Sequence, residues 1–279
     1  MGETKKGFVG FTIFVSLAAI GLVVGAFVTE HWISAFAQKT NNTLTKNATV
    51  ETDGTLKFTG NITFGLFAGT RFVNYGVGAR RQTIEVVCDG SSGYCLLYNT
   101  TRANYNKRTK LQTAIDEYNN ASAILTDTSV KEELYEFGLF PYGLWVATIV
   151  LSSLGMAWGL VSIGFSIFNI VGKPIETITG PMGLYLWNGL ALLFSALGMV
   201  MYLVLYFRYY KYNVLPLEDR LAHFSTEDNA NLDYSFYLLV GATGLYLINL
   251  LLLMFSGVRL KCGFTREADK VIDNGIILY

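Results

Sequence analysis

Five tripeptides in this chain could accept an asparagine-linked glycan: Asn41-Asn42-Thr43, Asn47-Ala48-Thr49, Asn61-Ile62-Thr63, Asn99-Thr100-Thr101 and Asn120-Ala121-Ser122. One such pattern recurs by chance, but all five fall between residues 33 and 136 and none elsewhere, which predicts that this stretch is external and that two or three sites are occupied. Cys88 and Cys95 flank Asp89-Gly90-Ser91-Ser92-Gly93, a turn that could bring two strands and their sulfurs together; the alternative is two unpaired thiols. Cys262 follows the last apolar run closely and is a candidate for palmitoylation, with a plain free thiol weighed equally against it. At the carboxyl terminus Ile277 and Tyr279 alternate as a PDZ-domain ligand does, although apolar residues end many chains. Catalytic chemistry is not legible. No nucleophile–base pair or metal-ligand spacing appears, and His223 has no second His or Cys near it. Asp116, Glu117, Glu132, Glu133 and Glu136 lack the spacing of a calcium loop. The expectation is a protein that is not an enzyme and needs no cofactor.

The elements that must position these groups are membrane spans. Residues 144–171 and 182–207 contain no Asp, Glu, Lys, Arg or His, and each outreaches a hydrocarbon core of about 30 Å at about 1.5 Å per residue. The turn 172–181 between them is short and rich in Gly and Pro, so the two helices pair antiparallel. Residues 7–29 and 234–258 supply two more spans. Lys5 and Lys6 before the first run would also suit a signal peptide, but its length favours an uncleaved span. Charged residues make up 15% of the chain against about 25% in soluble domains, and the mean hydropathy is +0.37. The 21 basic and 21 acidic residues balance, which gives no field for nucleic acid.

Short segments on the amino-terminal side hold Lys5, Lys6, Lys173, Arg259, Lys261, Arg266 and Lys270, so the positive-inside rule places both termini in the cytoplasm, in agreement with the acceptors. Segments 1–6, 172–181 and 259–279 are then cytoplasmic, and loops 30–143 and 208–233 extracellular. The fold class is an all-α integral membrane protein: one tetraspan domain over 1–279, a four-transmembrane-helix bundle whose long first loop holds a small β-sheet. Strands are expected at Thr55–Thr59 and Thr83–Cys88, a helix across Asn104–Asp127, and a capping box at Ser129–Glu132. Gly21 with Gly25, and Gly155 with Gly159, have the spacing that seats neighbouring helices closely. Asn169 and Asn188 are expected to satisfy backbone groups or each other.

Trp32 followed by Gly65-Leu66-Phe67 and a cysteine pair, on four spans, is similar to the claudin-like tetraspan superfamily and its W…GLW…C…C loop motif. The closer resemblance is to the clarins. It is carried by His31-Trp32-Ile33-Ser34, the stretch Lys57 to Gly69, Gly76 to Arg80, Val161 to Phe165, the third-span start Gly180-Pro181-Met182-Gly183-Leu184-Tyr185-Leu186-Trp187-Asn188 and the terminal Ile277-Leu278-Tyr279. Clarins place cysteines soon after GLF; here Thr70 and Asn74 stand in that region, and a polar segment is inserted around residues 98–130.

The resemblance implies a multi-pass plasma-membrane glycoprotein tied to sensory-cell membranes and to actin-linked organisation of hair bundles or synapses. Expected partners are the lipid bilayer, other membrane proteins and a PDZ or actin-linked scaffold, with homo-oligomers open to it. The alternative is an auxiliary subunit of an ion channel or receptor. Transport is disfavoured because the spans contain no ionisable residue of the kind that proton relays need.

Overall fold

The structure, a computed structural model, describes residues 3–39, 58–100, 106–124, 134–172 and 181–255. Helix α1 (Glu3–Val28) feeds β1 (Ile33–Lys39), and β2 (Thr59–Phe64), β3 (Ala68–Asn74), β4 (Ala79–Asp89) and β5 (Tyr94–Asn99) follow as successive antiparallel neighbours. Helix α2 (Lys107–Ile124), a 3-10 turn (Leu134–Phe137) and β6 (Leu139–Pro141) lead into α3 (Tyr142–Val171). Helix α4 (Pro181–Leu205) continues through a π-helical turn (Tyr206–Tyr210). The second loop supplies α5 (Leu217–Leu221), β7 (Phe224–Ser225) and β8 (Ala230–Leu232) before α6 (Tyr234–Phe255).

Among the described residues four helices are long and apolar enough to cross a membrane, over Lys6–Val28, Tyr142–Val171, Met182–Tyr210 and Tyr234–Phe255. They close a ring: α1 packs on α3 and α6, and α4 on α3 and α6. Apolar burial gives helices little reason to associate in lipid, so small residues and close contact must do it. Between α3 and α4 the fit is reciprocal. A Cβ at Gly155 would overlap the Ser195 hydroxyl, and one at Gly198 would overlap that of Ser152. Gly159 does the same for the Tyr246 ring of α6. The other glycine pair behaves differently: Gly25 meets Leu238 at ordinary distance, and nothing lies near Gly21. Trp187 stacks between Trp158 and Phe165, with ring centroids 5.3 and 5.4 Å away, which extends the α3–α4 seam.

The sheet is larger than the small one expected from the first loop alone. It has eight strands in the order β6-β5-β4-β3-β2-β1-β7, with β8 also paired to β1. The second loop therefore completes it, because the outer edge of β1 would otherwise expose unpaired N–H and C=O groups. One face of the sheet, carrying Ile33, Ala35, Ile62, Phe64, Val73 and Ile84, joins the bundle in a single core. On the opposite face, Leu111, Ala114 and Ile115 of α2 cover Leu96 and Tyr98 of β5. The inserted polar segment thus forms a lid helix over one end of the sheet. Asp116 and Glu117 lie exposed on it, and Asp116 accepts a hydrogen bond from Gln112 (2.9 Å). His223 is likewise exposed.

Candidate functional site

The joint between sheet and bundle is built from the first-loop motif. The last four carbonyls of a helix lack intrahelical donors and need partners. Here Thr29 donates from its N–H and its hydroxyl to Gly25 O (3.1 and 2.6 Å), and the Trp32 indole Nε1 donates to Ala26 O (2.6 Å). Trp32 thereby caps α1 while its ring, fully buried, lies 4.5 Å from the Tyr202 ring of α4 and 6.4 Å from Phe236 of α6. Its backbone accepts from Asp233 N and donates to Phe64 O, both at 3.0 Å. One residue thus touches two spans, closes a third and enters the sheet.

Gly65, Leu66 and Phe67 form the turn that seats the sheet on the helix ends. A Cβ at Gly65 would sit 2.6 Å from Thr29 O, so only glycine permits this approach. The Leu66 carbonyl accepts from Trp145 Nε1 of α3 (2.7 Å), and Phe67 meets the same indole edge-on at 6.1 Å. From α4, Tyr202, Tyr206 and Tyr210 reach upward; Tyr210 packs on Phe64 and Phe140, and the Tyr206 hydroxyl donates to Ala230 O (2.8 Å). An α-helix drifts forward around its axis every four residues, and the wider π turn at Tyr206–Tyr210 turns less per residue. The drift is cancelled, so all three tyrosines stay beneath the sheet.

Behind the joint lies a buried charge pair that motif reading misses. Arg71 of β3 is 3% exposed and Asp219 of α5 is 0% exposed. The Arg71 guanidinium pairs with the Asp219 carboxylate and also donates from Nε to Gln82 Oε1 (2.8 Å). The Tyr75 hydroxyl donates to Asp219, and Asn99 Nδ2 donates to the same Gln82 oxygen (2.9 Å). A cleft of about 400 Å³ opens beside the pair, bordered by Val77, Arg80 and Ala222. With Lys110–Glu218 and His31–Asp233 (3.1 Å), the pair locks the second loop to the first. The available signal was local: Gly69, Arg71 and Val73 share the inward face of β3, and an inward arginine in a half-buried strand requires an acid.

A second polar cluster lies inside the bundle, in the half away from the sheet, and takes one residue from each span. Asn188 Nδ2 (α4) donates to Ser162 Oγ (α3) at 2.7 Å, and Asn249 Nδ2 (α6) donates to Ser16 Oγ (α1) at 2.7 Å and reaches Asn188 Oδ1 at 3.3 Å. Of the two expected alternatives the backbone one holds: Asn169 donates to its own Phe165 carbonyl and Asn188 to its own Leu184 carbonyl (both 2.8 Å), and the side-chain partner of Asn188 across the bundle is Asn249 rather than Asn169.

Among the modification candidates, Cys88 and Cys95 stand opposite each other in the β4–β5 register and are joined as a disulfide. Gly93, at φ +80°, closes the turn, and the Asp89 carboxylate accepts from Ser91 N (3.2 Å), Ser91 Oγ (2.6 Å) and Ser92 N (3.0 Å). Those bonds hold Asp89 down at about 2, the Ser91 hydroxyl contributing most. Asn61 and Asn120 are exposed. Asn99 corrects the simple tripeptide reading: it is 2% exposed and bonded to Gln82, so this fold has no room for a glycan on it. Asn41, Asn47, Gly180, Cys262, Ile277 and Tyr279 lie outside the described residues, as do the expected Ser129–Glu132 cap and most of the Thr55–Thr59 strand; Pro181 opens α4.

Taken together, the geometry defines a four-span membrane protein with an extramembrane sheet built from its two same-side loops. A family model described as Clarin-2-like matches residues 137–253, from the 3-10 turn through most of α6. Clarin-2 of Homo sapiens is 23% identical over the whole chain and 99% of that protein, and Clarin-2 of Mus musculus is 24% identical over the same shares. Clarin-3 of Rattus norvegicus is 42% identical over 59 residues, which is 21% of this chain and 26% of that protein. The chain is similar to the clarins: weakly over its whole length and, by the family model, over residues 137–253.

Proposed function

We propose that this chain is a clarin, a non-enzymatic plasma-membrane glycoprotein with both termini cytoplasmic, and that it organises membrane protein complexes and their links to the cytoskeleton, in sensory cells or at synapses. The observation that carries the proposal is the Trp32 joint: it fixes the sheet to α1, α4 and α6 at once. A partner bound to the sheet is then held in fixed register with a partner in the bilayer, which is what an organiser requires and a flexible receptor loop does not provide. The bundle core offers neutral amides and hydroxyls, and among the described residues 7–28, 142–171, 182–207 and 234–255 there is no Asp, Glu, Lys, Arg or His, a composition suited to packing rather than to a proton or ion path. In this proposal the tail supplies the inner contact, with Ile277 and Tyr279 adding as a strand to a PDZ scaffold.

The test is affinity purification of the full chain from its native membrane with quantification of every partner. A diffuse set of adhesion and cytoskeletal proteins, reduced when Tyr279→Asp is introduced, is the expected result. One channel or receptor recovered stoichiometrically would replace the organiser with an auxiliary subunit.

A further inference from the structure

Strand register places Asn61 in a row that crosses four strands. It stands opposite Phe36 of β1 and Phe72 of β3, and Phe72 stands opposite Arg81 of β4. Because successive side chains alternate between faces, this row lies on the face turned away from the bundle core formed by Ile62, Val73 and Ile84. The neighbouring row on the same face is Ser34, Thr63, Thr70 and Thr83, with the Thr63 and Thr70 hydroxyls 3.2 Å apart. Asn61, Thr63, Thr70, Phe72 and Arg81 line a shallow groove of about 330 Å³. Phe72 is 50% exposed at mid-strand, an aromatic ring turned to solvent directly across from a glycan acceptor.

We propose that Asn61 carries an N-linked glycan whose first sugar lies in this groove. The inference rests on the reading that the sheet is external. A pyranose has one face made of C–H bonds, and such a face packs on the electron-rich face of an aromatic ring. Directly opposed residues have Cβ atoms only about 4.5–5.5 Å apart, so a sugar attached to the Asn61 amide reaches the Phe72 ring without crossing open solvent. Its hydroxyls and acetamido group meet the Thr63 and Thr70 hydroxyls and the Arg81 guanidinium at the groove's margin. The exposed aromatic is thereby covered by the chain's own modification. No such cradle serves Asn99, whose side chain is already enclosed.

Full-length protein from mammalian cells held at the high-mannose stage provides the test, with site occupancy read by glycopeptide mass spectrometry. Asn61 is expected to be occupied, and trimming to the single proximal N-acetylglucosamine should leave Tm unchanged. Asn61→Gln should lower Tm by about 2–4 °C and raise hydrogen exchange in β2 and β3. Thr63→Val, which abolishes acceptance while leaving Asn61 in place but also removes the Thr63–Thr70 hydrogen bond, should lower Tm at least as much. Phe72→Thr should lower the Tm of the glycosylated protein yet add nothing to Asn61→Gln. Asn61 unoccupied while Asn120 carries a glycan would overturn the site. Full additivity of Phe72→Thr and Asn61→Gln would overturn the docking. No glycan at any acceptor would overturn the external placement, and this inference with it.

Discussion

The Arg71–Asp219 pair beneath the sheet and the Ser16, Ser162, Asn188 and Asn249 cluster inside the bundle are both buried, yet only the first is charged. Each follows from the surroundings in which it formed. A pair that assembles from two loops in water can be fully charged, because Gln82, Tyr75 and the partner charge replace the lost hydration. Helices that insert before they associate must carry their polar groups through hydrocarbon, and there a neutral amide or hydroxyl is tolerable where an ion is not. The sheet side therefore locks with charges and the membrane side with amides, and each device would fail in the other's place.

Breaking the charged lock should produce the largest loss. Asp219→Leu alone leaves the Arg71 guanidinium buried and unpaired and is expected to destabilise the fold by about 3–5 kcal/mol. The double change Asp219→Leu with Arg71→Met removes both charges and should recover most of that loss. Thermal unfolding in detergent, followed with protease sensitivity of the second loop, measures both; equal losses in the single and double variants would show that the charges are not compensating each other.

In the membrane cluster the order of effects depends on charge rather than on hydrogen bonding. Asn188→Asp keeps the shape but brings an acid into the bilayer, a burden bounded above by the value of about 2.5–3.5 kcal/mol that insertion scales give at a helix centre, since Asn188 lies seven residues into the span Met182–Tyr210. Asn188→Leu loses the contacts to Ser162 and Asn249 and should cost only about 0.6–2 kcal/mol, since polar contacts between spans are individually modest. Surface yield and unfolding midpoint of the two variants test this, and a Leu variant worse than the Asp variant would reverse the argument.

The contrast also explains what could be read in advance. The spans were legible because long uncharged runs have few other fates, and the Trp32 and Gly65-Leu66-Phe67 landmarks were legible as a family pattern. The reason for the motif was not: that Trp32 caps α1 through Ala26, and that Gly65 clears Thr29, depends on backbone atoms with no sequence signature. Strands β7 and β8 are two and three residues long, below what alternation can reveal, so the eight-stranded sheet appeared as a small one. Arg71 and Asp219 lie 148 residues apart, and nothing local pairs them. Asn169 and Asn188 were visible as amides within spans, but choosing Asn249 over Asn169 as partner required knowing that α4 and α6 are adjacent.

The β4–β5 hairpin offers two smaller effects on the sheet side. Closing the short loop between Cys88 and Cys95 is worth about 2–3 kcal/mol in the chain-entropy estimate, so Cys88→Ser with Cys95→Ser should lower the unfolding midpoint by less than Asp219→Leu does. A peptide map of non-reduced protein should contain the linked pair, and free thiols at both positions would exclude the bond in the native protein.

Within the same turn the exposed Asp89 should give the smallest effect, and one visible only in acid. Its carboxyl is held at about 2 against an ordinary 3.8 by the Ser91 hydroxyl, then the Ser91 and Ser92 groups that donate to it. The folded pKa is below the unfolded one, so the unfolded chain takes up the proton first as pH falls. The contribution of these bonds is therefore complete above the ordinary carboxylate pKa, declines between about 4 and 2, and is gone below the folded value. Hydrogen exchange of Ser91 and Ser92 at a series of pH values, corrected for intrinsic rates, should show protection falling across that interval. Asp89→Asn retains an acceptor oxygen but has no proton to gain, and its protection should not change there. Because the group is open to water, the change should stay local to the turn, leaving Trp32 fluorescence and the bundle untouched. A parallel loss at the joint would mean that the hairpin and the Trp32 contact unfold as one unit, and the separation between a locally adjustable rim and a fixed centre would then have to be abandoned.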